Sequence, residues 1–93
     1  MRYIHEYGIE LEELLLKASK NKDLMHEFLF DLLSPAEYKD LAIRWQIVKQ
    51  LQKGVSQRVI AKNLRVSIST VTRGSREMLN KKGGFAKMLK RYT

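Results

Sequence analysis

Apolar residues recur at spacings of three and four along most of this 93-residue chain, which predicts a helical protein. One apolar stripe runs from Glu6 to Ser19. A second, shorter run extends from Asp23 to Leu33, and Asn21 separates the two. Alternation of the kind found in strands is scarce, and the chain has one proline. The pattern therefore predicts an all-α fold of about six helices.

Start and stop signals divide the rest of the chain into four further helices. Ser34 stands at an N-cap position, Pro35 at the first helical position and Glu37 at the capping-box position, which together predict a helix start. Gly54 predicts the end of that helix. Ser56 and Ser67 are N-cap candidates for the next two. The predicted helices after the second are Pro35–Lys53, Gln57–Leu64, Ile68–Asn80 and Phe85–Tyr92, with Gly83 and Gly84 in a loop.

The segment Ser56–Ser75, SQRVIAKNLRVSISTVTRGS, has the pattern of a helix-turn-helix. Ala61 is the small residue needed where the two helices cross. The turn is predicted at Arg65–Ser67, with Arg65 at a position where the backbone tends to positive φ and where glycine is common. The apolar residues expected to hold the pair together are Ile60, Leu64, Val66 and Val71.

Charge is distributed unevenly along the chain, whose net charge is +8. Residues 1–43 contain five Lys/Arg and nine Asp/Glu, whereas residues 44–93 contain thirteen Lys/Arg and one Asp/Glu. A basic half of this kind favours a nucleic-acid partner, because neutralising phosphates releases counterions. A solvated basic face or a patch that binds a membrane surface is the alternative interpretation.

A DNA-binding function assigns roles to the polar residues of the helix-turn-helix. The N-terminal turn of the second helix would face base edges in the major groove, and its hydroxyls and backbone amides can also reach phosphates. The first helix would contact the DNA backbone or a guanine. The predicted DNA contacts are Gln57, Arg58, Lys62, Ile68, Ser69, Thr70 and Thr72.

Composition argues against several other classes of protein. The absence of Cys excludes a disulfide framework and a thiolate zinc site, and two His are too few for a persuasive metal site. No apolar run approaches the roughly 20 residues of a membrane span, and the N-terminus lacks a signal-peptide core, so a cytoplasmic protein is expected. An enzyme is disfavoured because neither His lies beside a nucleophile or acid–base partner.

The stretch LSPAEYKDLAIRWQIVKQL (Leu33–Leu51), followed by SQRVIAKNL and STVTRGS, resembles the tryptophan repressor family over roughly Leu32–Leu79. The resemblance implies a single all-helical domain that forms an intertwined homodimer. Residues 1–54 would be mainly the dimerisation core, residues 56–80 the helix-turn-helix, and residues 84–92 a helix packed on that core. It also implies double-stranded operator DNA as partner and L-tryptophan as corepressor, with no further cofactor.

The same resemblance implies a set of tryptophan-binding residues. Arg44 and Arg73 would sandwich the indole ring, and Arg73 would also hold the ligand carboxylate; guanidinium groups suit both tasks. Gly74 would leave room for the ring, and Thr70 would line the pocket. The neighbouring subunit would contribute Ser34 and the backbone near Asp31 and Leu33.

Two of these positions depart from the family pattern. Glu77 replaces a small hydroxyl residue, and Asp31 replaces an apolar residue at the pocket mouth. The Glu77 carboxylate could pair with the ligand ammonium, or it could fill the pocket and bind Arg73 itself. Taken alone, Arg44 is also compatible with a structural salt bridge and Arg73 with a phosphate contact.

The resemblance thus favours a repressor of tryptophan biosynthesis or transport genes that is activated by L-tryptophan. A DNA-binding regulator of the same fold that needs no ligand is the main alternative. A third possibility is a protein-interaction subunit that docks through its acidic helical half.

Overall fold

Six helices joined by short turns make up the part of the chain that the structure describes. A computed structural model describes residues 2–93, in which no strand occurs. The prediction of an all-α fold with about six helices is confirmed. Helix α1 begins four residues before the predicted Glu6, and the other helices begin and end within two residues of the predicted bounds. The helices are α1 (Arg2–Ala18), α2 (Lys22–Leu32), α3 (Pro35–Gln52), α4 (Gln57–Leu64), α5 (Ile68–Met78) and α6 (Gly84–Tyr92).

Helix α3 begins with a complete capping box. The Ser34 N–H donates to Glu37 Oε1 at 2.8 Å, and the Glu37 N–H donates to Ser34 Oγ at 3.2 Å. The hydrogen bond with the Ser34 backbone is the main cause that holds the pKa of Glu37 below its ordinary value, and the hydrogen bond with the Ser34 side chain is the second. Because these bonds favour the carboxylate, their contribution to stability is present at neutral pH and is lost as the pH falls through that lowered pKa.

Side-chain caps also begin three of the other helices. Asn21, which separates the first two apolar runs, accepts the Leu24 N–H at 3.0 Å and so starts α2. Ser56 accepts the Val59 N–H at 3.3 Å at the start of α4, and Ser67 accepts the Thr70 N–H at 3.2 Å at the start of α5. Each bond satisfies a backbone donor that has no partner within the helix.

Helix α3 ends in a Schellman motif at Gly54. The Val55 N–H donates to the Gln50 carbonyl at 3.1 Å, and the Gly54 N–H donates to the Leu51 carbonyl at 3.0 Å. Gly54 has a φ of 82°, a left-handed conformation that suits a residue without a Cβ. The chain therefore turns sharply into α4.

The same motif ends α4, but with an arginine in the left-handed position. Arg65 has a φ of 57°, as the helix-turn-helix pattern predicted for this position. Its N–H donates to the Lys62 carbonyl at 3.4 Å, and the Val66 N–H donates to the Ala61 carbonyl at 3.1 Å. Arg65 bears the steric cost of this conformation, and the resulting three-residue connection brings α4 and α5 into direct contact.

The chain divides into two compact units, the first of which ends at Tyr38. In this unit α1 packs against α2, and Ala18 is buried. The Phe30 ring lies 4.5 Å from the His26 ring and 4.7 Å from the Tyr38 ring, measured between centroids. Helix α2 buries none of its side chains. The large exposed apolar residues of this unit are Tyr3, Ile4, Tyr7, Ile9, Leu11, Leu14, Leu16, Leu24, Phe30 and Leu32.

The second unit, Lys39–Thr93, has a small core of five buried apolar residues, which are Ile47 and Val48 of α3, Ile60 of α4, Val71 of α5 and Leu89 of α6. Ile47 of α3, Ile60 of α4 and Val71 of α5 are each at most 1% exposed and form one cluster. Helix α5 also packs against α6. The apolar contacts predicted for the helix-turn-helix all belong to this core. The half-buried residues around the cluster are Ile43, Leu51, Val55, Ala61, Leu64 and Val66.

Replacing Arg65 by glycine should stabilise the protein, because glycine adopts positive φ without a Cβ clash. Arg65→Ala is the matched control, since it removes the same exposed side chain but keeps the unfavourable conformation. We expect Arg65→Gly to exceed Arg65→Ala in free energy of unfolding by about 1 kcal/mol. Urea denaturation at one fixed protein concentration measures this difference. Equal stabilities of the two variants would show that the backbone at Arg65 is not strained.

Candidate ligand groove and nucleic-acid interface

A groove of about 480 Å³ lies between α3 and α5 in the second unit. Helix α3 contributes residues at helical spacing from Asp40 to Ile47, and α5 does the same from Thr70 to Glu77, so one face of each helix forms a wall. The volume is within the roughly 300–1,000 Å³ of sites that bind small molecules. The lining residues are Asp40, Ile43, Arg44, Ile47, Val66, Thr70, Arg73, Gly74, Glu77 and Phe85.

The groove combines an apolar surface with charges of both signs. Its apolar side chains are buried or half-buried, whereas its four charged side chains are exposed. Arg44 and Arg73 offer guanidinium planes that can stack on an aromatic ring or pair with a carboxylate. Asp40 and Glu77 offer acceptors for a cationic group. This chemistry suits a zwitterion that carries a flat apolar ring.

Gly74 allows the close approach of α5 to α3. A Cβ built on Gly74 would lie 2.6 Å from Ile47 Cγ2, well inside van der Waals contact, and Ile47 is only 1% exposed. Gly74 was expected to leave room for a ligand ring. The contact with Ile47 gives a packing reason for this glycine that does not depend on any ligand.

The structure brings most of the predicted ligand residues together. Arg44, Thr70, Arg73, Gly74 and Glu77 all line the groove. Ser34 and the backbone near Asp31 and Leu33 were expected to act from a neighbouring subunit. These three residues lie in the first unit, at the end of α2 and the start of α3, and their contribution stays a prediction.

Sequence reasoning missed five of the lining residues. Asp40, Ile43 and Ile47 share a helical face with Arg44, so the spacing around Arg44 could have identified them. Val66 was assigned only to the contacts that hold α4 and α5 together. Nothing in the local pattern pointed to Phe85, because its place in the groove depends on how α6 folds back on α5.

The first turn of α5 carries exposed polar side chains next to this groove. Ser67 Oγ lies 2.9 Å from Ser69 Oγ and 2.8 Å from Thr70 Oγ1, so the three hydroxyls form a hydrogen-bonded cluster. Ile68, in the same turn, is 54% exposed. Thr70 belongs both to this cluster and to the groove wall. One residue therefore connects the predicted DNA-reading turn with the predicted ligand site.

Two of the predicted DNA contacts of α4 have exposed side chains, and the third has a side chain that is hydrogen-bonded to α5. Arg58 and Lys62 are exposed and lie four residues apart, on one face of α4. Gln57 Oε1, by contrast, accepts a hydrogen bond of 2.8 Å from the Thr72 hydroxyl, which also lies 2.9 Å from the Ile68 carbonyl. The Gln57–Thr72 bond links the start of α4 to α5, a contact that the sequence did not reveal. The role of either residue at DNA stays a prediction.

A small all-helical protein with a basic half and an exposed polar turn on a paired helix is typical of DNA-binding regulators. A family model described as Trp repressor protein matches residues 10–93 of the chain. The chain therefore belongs to the Trp repressor family, a family of DNA-binding transcriptional repressors. The match extends well beyond the Leu32–Leu79 segment that carried the resemblance.

Curated relatives agree with this assignment. The chain is 34% identical to a Trp operon repressor homolog of Haemophilus influenzae strain PittEE over 92 residues, which cover 98% of this chain and 89% of the relative. It is 39% identical to the homolog of Vibrio campbellii over 74 residues, with coverages of 77% and 72%. No solved structure gives a significant match. Among the described residues, no helix is long and apolar enough to cross a membrane.

The variant Gly74→Ala tests the packing role of this glycine. Its methyl group would push against Ile47 Cγ2. Overpacking costs roughly 1–3 kcal/mol, while the better helix propensity of Ala returns about 1 kcal/mol, so we expect a net loss of up to about 2 kcal/mol. Gly84→Ala is the control, because no atom lies within 4 Å of that added Cβ. Chemical denaturation that found Gly74→Ala as stable as Gly84→Ala would contradict the close helix contact.

Proposed function

We propose that this protein represses genes of tryptophan biosynthesis or transport and that L-tryptophan is its corepressor. The groove between α3 and α5 carries this proposal, because it combines an apolar surface with two arginines and two carboxylates. Membership of the Trp repressor family supports the same conclusion. The relatives are named as Trp operon repressor homologs, which supports the class of target gene.

Each part of L-tryptophan has a chemical counterpart in the groove. The indole ring would contact Ile43 and Phe85 and stack on the guanidinium of Arg44. Arg73 would pair with the carboxylate, for which its fork of N–H donors is well suited. Glu77 would accept hydrogen bonds from the ammonium. The last contact is a feature of this chain rather than of the family pattern.

Binding in this groove would couple to DNA binding through the position of α5. A ligand that touches α3 and α5 together binds best at one separation of the two helices. It therefore shifts the population towards that arrangement by its difference in affinity for the alternatives. The first turn of α5, including Ser69 and Thr70, would move with the helix. L-Tryptophan would thus hold the DNA-reading turn in one orientation.

A homodimer would account for the apolar surface of the first unit. Helix α2 buries no side chain, and large residues such as Tyr7 and Leu16 are 67% and 70% exposed. Apolar surface of this extent is typical of an interaction site, and a second copy of the chain would cover it. The partner copy would also supply Ser34 and the backbone near Asp31 and Leu33 to the groove. Two α5 helices would then read two half-sites.

L-Tryptophan should bind the purified protein and strengthen its binding to duplex DNA, roughly 5- to 150-fold if the coupling is of ordinary size. Calorimetry measures the first effect, and gel shifts with operator-containing DNA measure the second. Arg73→Gln should abolish the heat of binding. Arg76→Gln removes the same charge from the same helix but lies outside the groove lining, and it should retain that heat.

Two results would overturn this proposal. The first is equal DNA affinity with and without the amino acid, together with no heat of binding. The second is equal loss of ligand binding in the two arginine variants, which would implicate net charge rather than the groove. Light scattering on the same samples should give the mass of two chains, each of 10.9 kDa, and a single-chain mass would contradict the homodimer.

A ligand-independent repressor is the second candidate, and the position of Glu77 favours it. Glu77 and Arg73 line the same groove, so this carboxylate could satisfy the arginine in place of a ligand. The groove would then be filled by the chain's own side chains, and DNA binding would need no corepressor.

The variant Glu77→Ser distinguishes the two candidates. If Glu77 pairs with the ligand ammonium, the variant should bind L-tryptophan up to roughly fivefold more weakly, as expected for removal of an exposed ion pair. It should bind indole-3-propionate, which lacks the ammonium, no more weakly than the parent does. If Glu77 instead occupies the groove, the variant should bind both compounds more tightly. Calorimetry with the two compounds reads out both outcomes.

A further inference from the structure

The C-terminal helix α6 carries basic residues on the face opposite its buried side chains. Phe85, Ala86 and Leu89 are half-buried or buried, and Leu89 is only 3% exposed. Lys87, Lys90 and Arg91 are spaced by three and four residues, so they lie together on the other side of the helix, and all three are exposed. We call these three residues the basic stripe. The basic stripe therefore stays in solvent while Phe85, Ala86 and Leu89 pack against the rest of the unit.

All charged side chains in and just before α6 are basic. Residues 78–93 contain five Lys/Arg and no Asp/Glu. No acidic side chain of the helix or of the preceding loop can therefore pair with the basic stripe. A surface of this kind attracts a polyanion and is repelled by other basic surfaces.

A hydrogen bond places the end of α6 beside the connection that leads into α4. The Thr93 hydroxyl donates to Gln52 Oε1 at 3.0 Å, and Gln52 is the last residue of α3. The last turn of α6 thus lies near Lys53, and the chain continues from there to the exposed Arg58. The basic stripe therefore belongs to a helix whose end lies next to the connection into α4, which carries the exposed Arg58 and Lys62.

We propose that the basic stripe of α6 is a second DNA-binding surface, which contacts backbone phosphates beside the segment read by α5. This inference rests on the proposed DNA-binding function. Phosphates on duplex DNA are regularly spaced polyanionic groups, and Lys and Arg bind them without regard to sequence. An anionic membrane is the weaker candidate, because interfacial helices bury a broad apolar face in lipid, whereas Phe85, Ala86 and Leu89 of α6 pack within the protein and leave only Met88 and Tyr92 as exposed apolar residues.

The test compares two triple variants that remove the same charge. Lys87→Gln/Lys90→Gln/Arg91→Gln removes the basic stripe, and Lys17→Gln/Lys20→Gln/Lys22→Gln removes three exposed cations of the first unit. Gln has a helix propensity close to that of Lys and Arg, so the helices should persist. Fluorescence anisotropy with a mixed-sequence duplex gives the dissociation constant as a function of salt concentration.

The affinity for DNA falls as salt rises. Removal of the basic stripe should make the slope of log affinity against log salt shallower by about 0.9 for each phosphate that the stripe neutralises. The control variant should keep the slope of the parent. A further variant, Lys87→Arg/Lys90→Arg, should also keep it, because binding to phosphate depends on charge. If the triple variant fails to fold, the single variants Lys87→Gln, Lys90→Gln and Arg91→Gln should each show part of this change in slope.

Several outcomes would overturn the inference. Equal slopes for the two triple variants would overturn it while leaving DNA binding by α5 intact. A parent protein that binds no duplex at low salt would overturn both this inference and the proposed function. Stripe-dependent binding to phosphatidylglycerol vesicles that is tighter than binding to DNA would identify a membrane surface as the partner instead.

Discussion

The close contact of α5 with α3 is the constraint on which the rest of the second unit depends. Gly74 lets the α5 backbone approach Ile47, and Ile47 in turn packs with Ile60 and Val71. These three side chains, one from each of α3, α4 and α5, are the buried cluster that holds the helices together. The same two helices line the groove, with Gly74 and Ile47 in its wall and charged residues at its exposed edges.

The core is small enough that a bound ligand could shift the position of α5. Burying one large aliphatic side chain contributes roughly 1.5–3 kcal/mol, and each helix of the second unit contributes only one or two such side chains, so the restraint on each helix is modest. A ligand that couples two sites typically does so with about 1–3 kcal/mol, which is of the same order. A small molecule held by α3 and α5 could therefore compete with the packing that sets their separation, which is the physical basis of a ligand-dependent regulator.

Electrostatics assigns different tasks to the two halves of the chain. The acidic first half carries large exposed apolar residues, which the proposed homodimer would cover. The basic second half contains α4, α5 and α6, and its cations are mostly exposed. Within the second unit, the carboxylates Asp40 and Glu77 face the groove together with Arg44 and Arg73, which gives this one site a balanced charge. In the proposed function, such a site would select a zwitterion while the surface around it attracts DNA.

The sequence by itself determined the helices, their caps and the turn between α4 and α5. Ser34 with Glu37, Gly54, and the Arg65 turn each act through bonds to residues at most five positions away, so local pattern was sufficient. It also predicted, through family resemblance, five residues that line the groove. Only the tertiary structure decided that Phe85 joins them, that Thr72 bonds Gln57, and that Gly74 packs against Ile47. Most of these contacts link residues far apart in the chain, and such distances depend on how whole helices pack rather than on any local spacing.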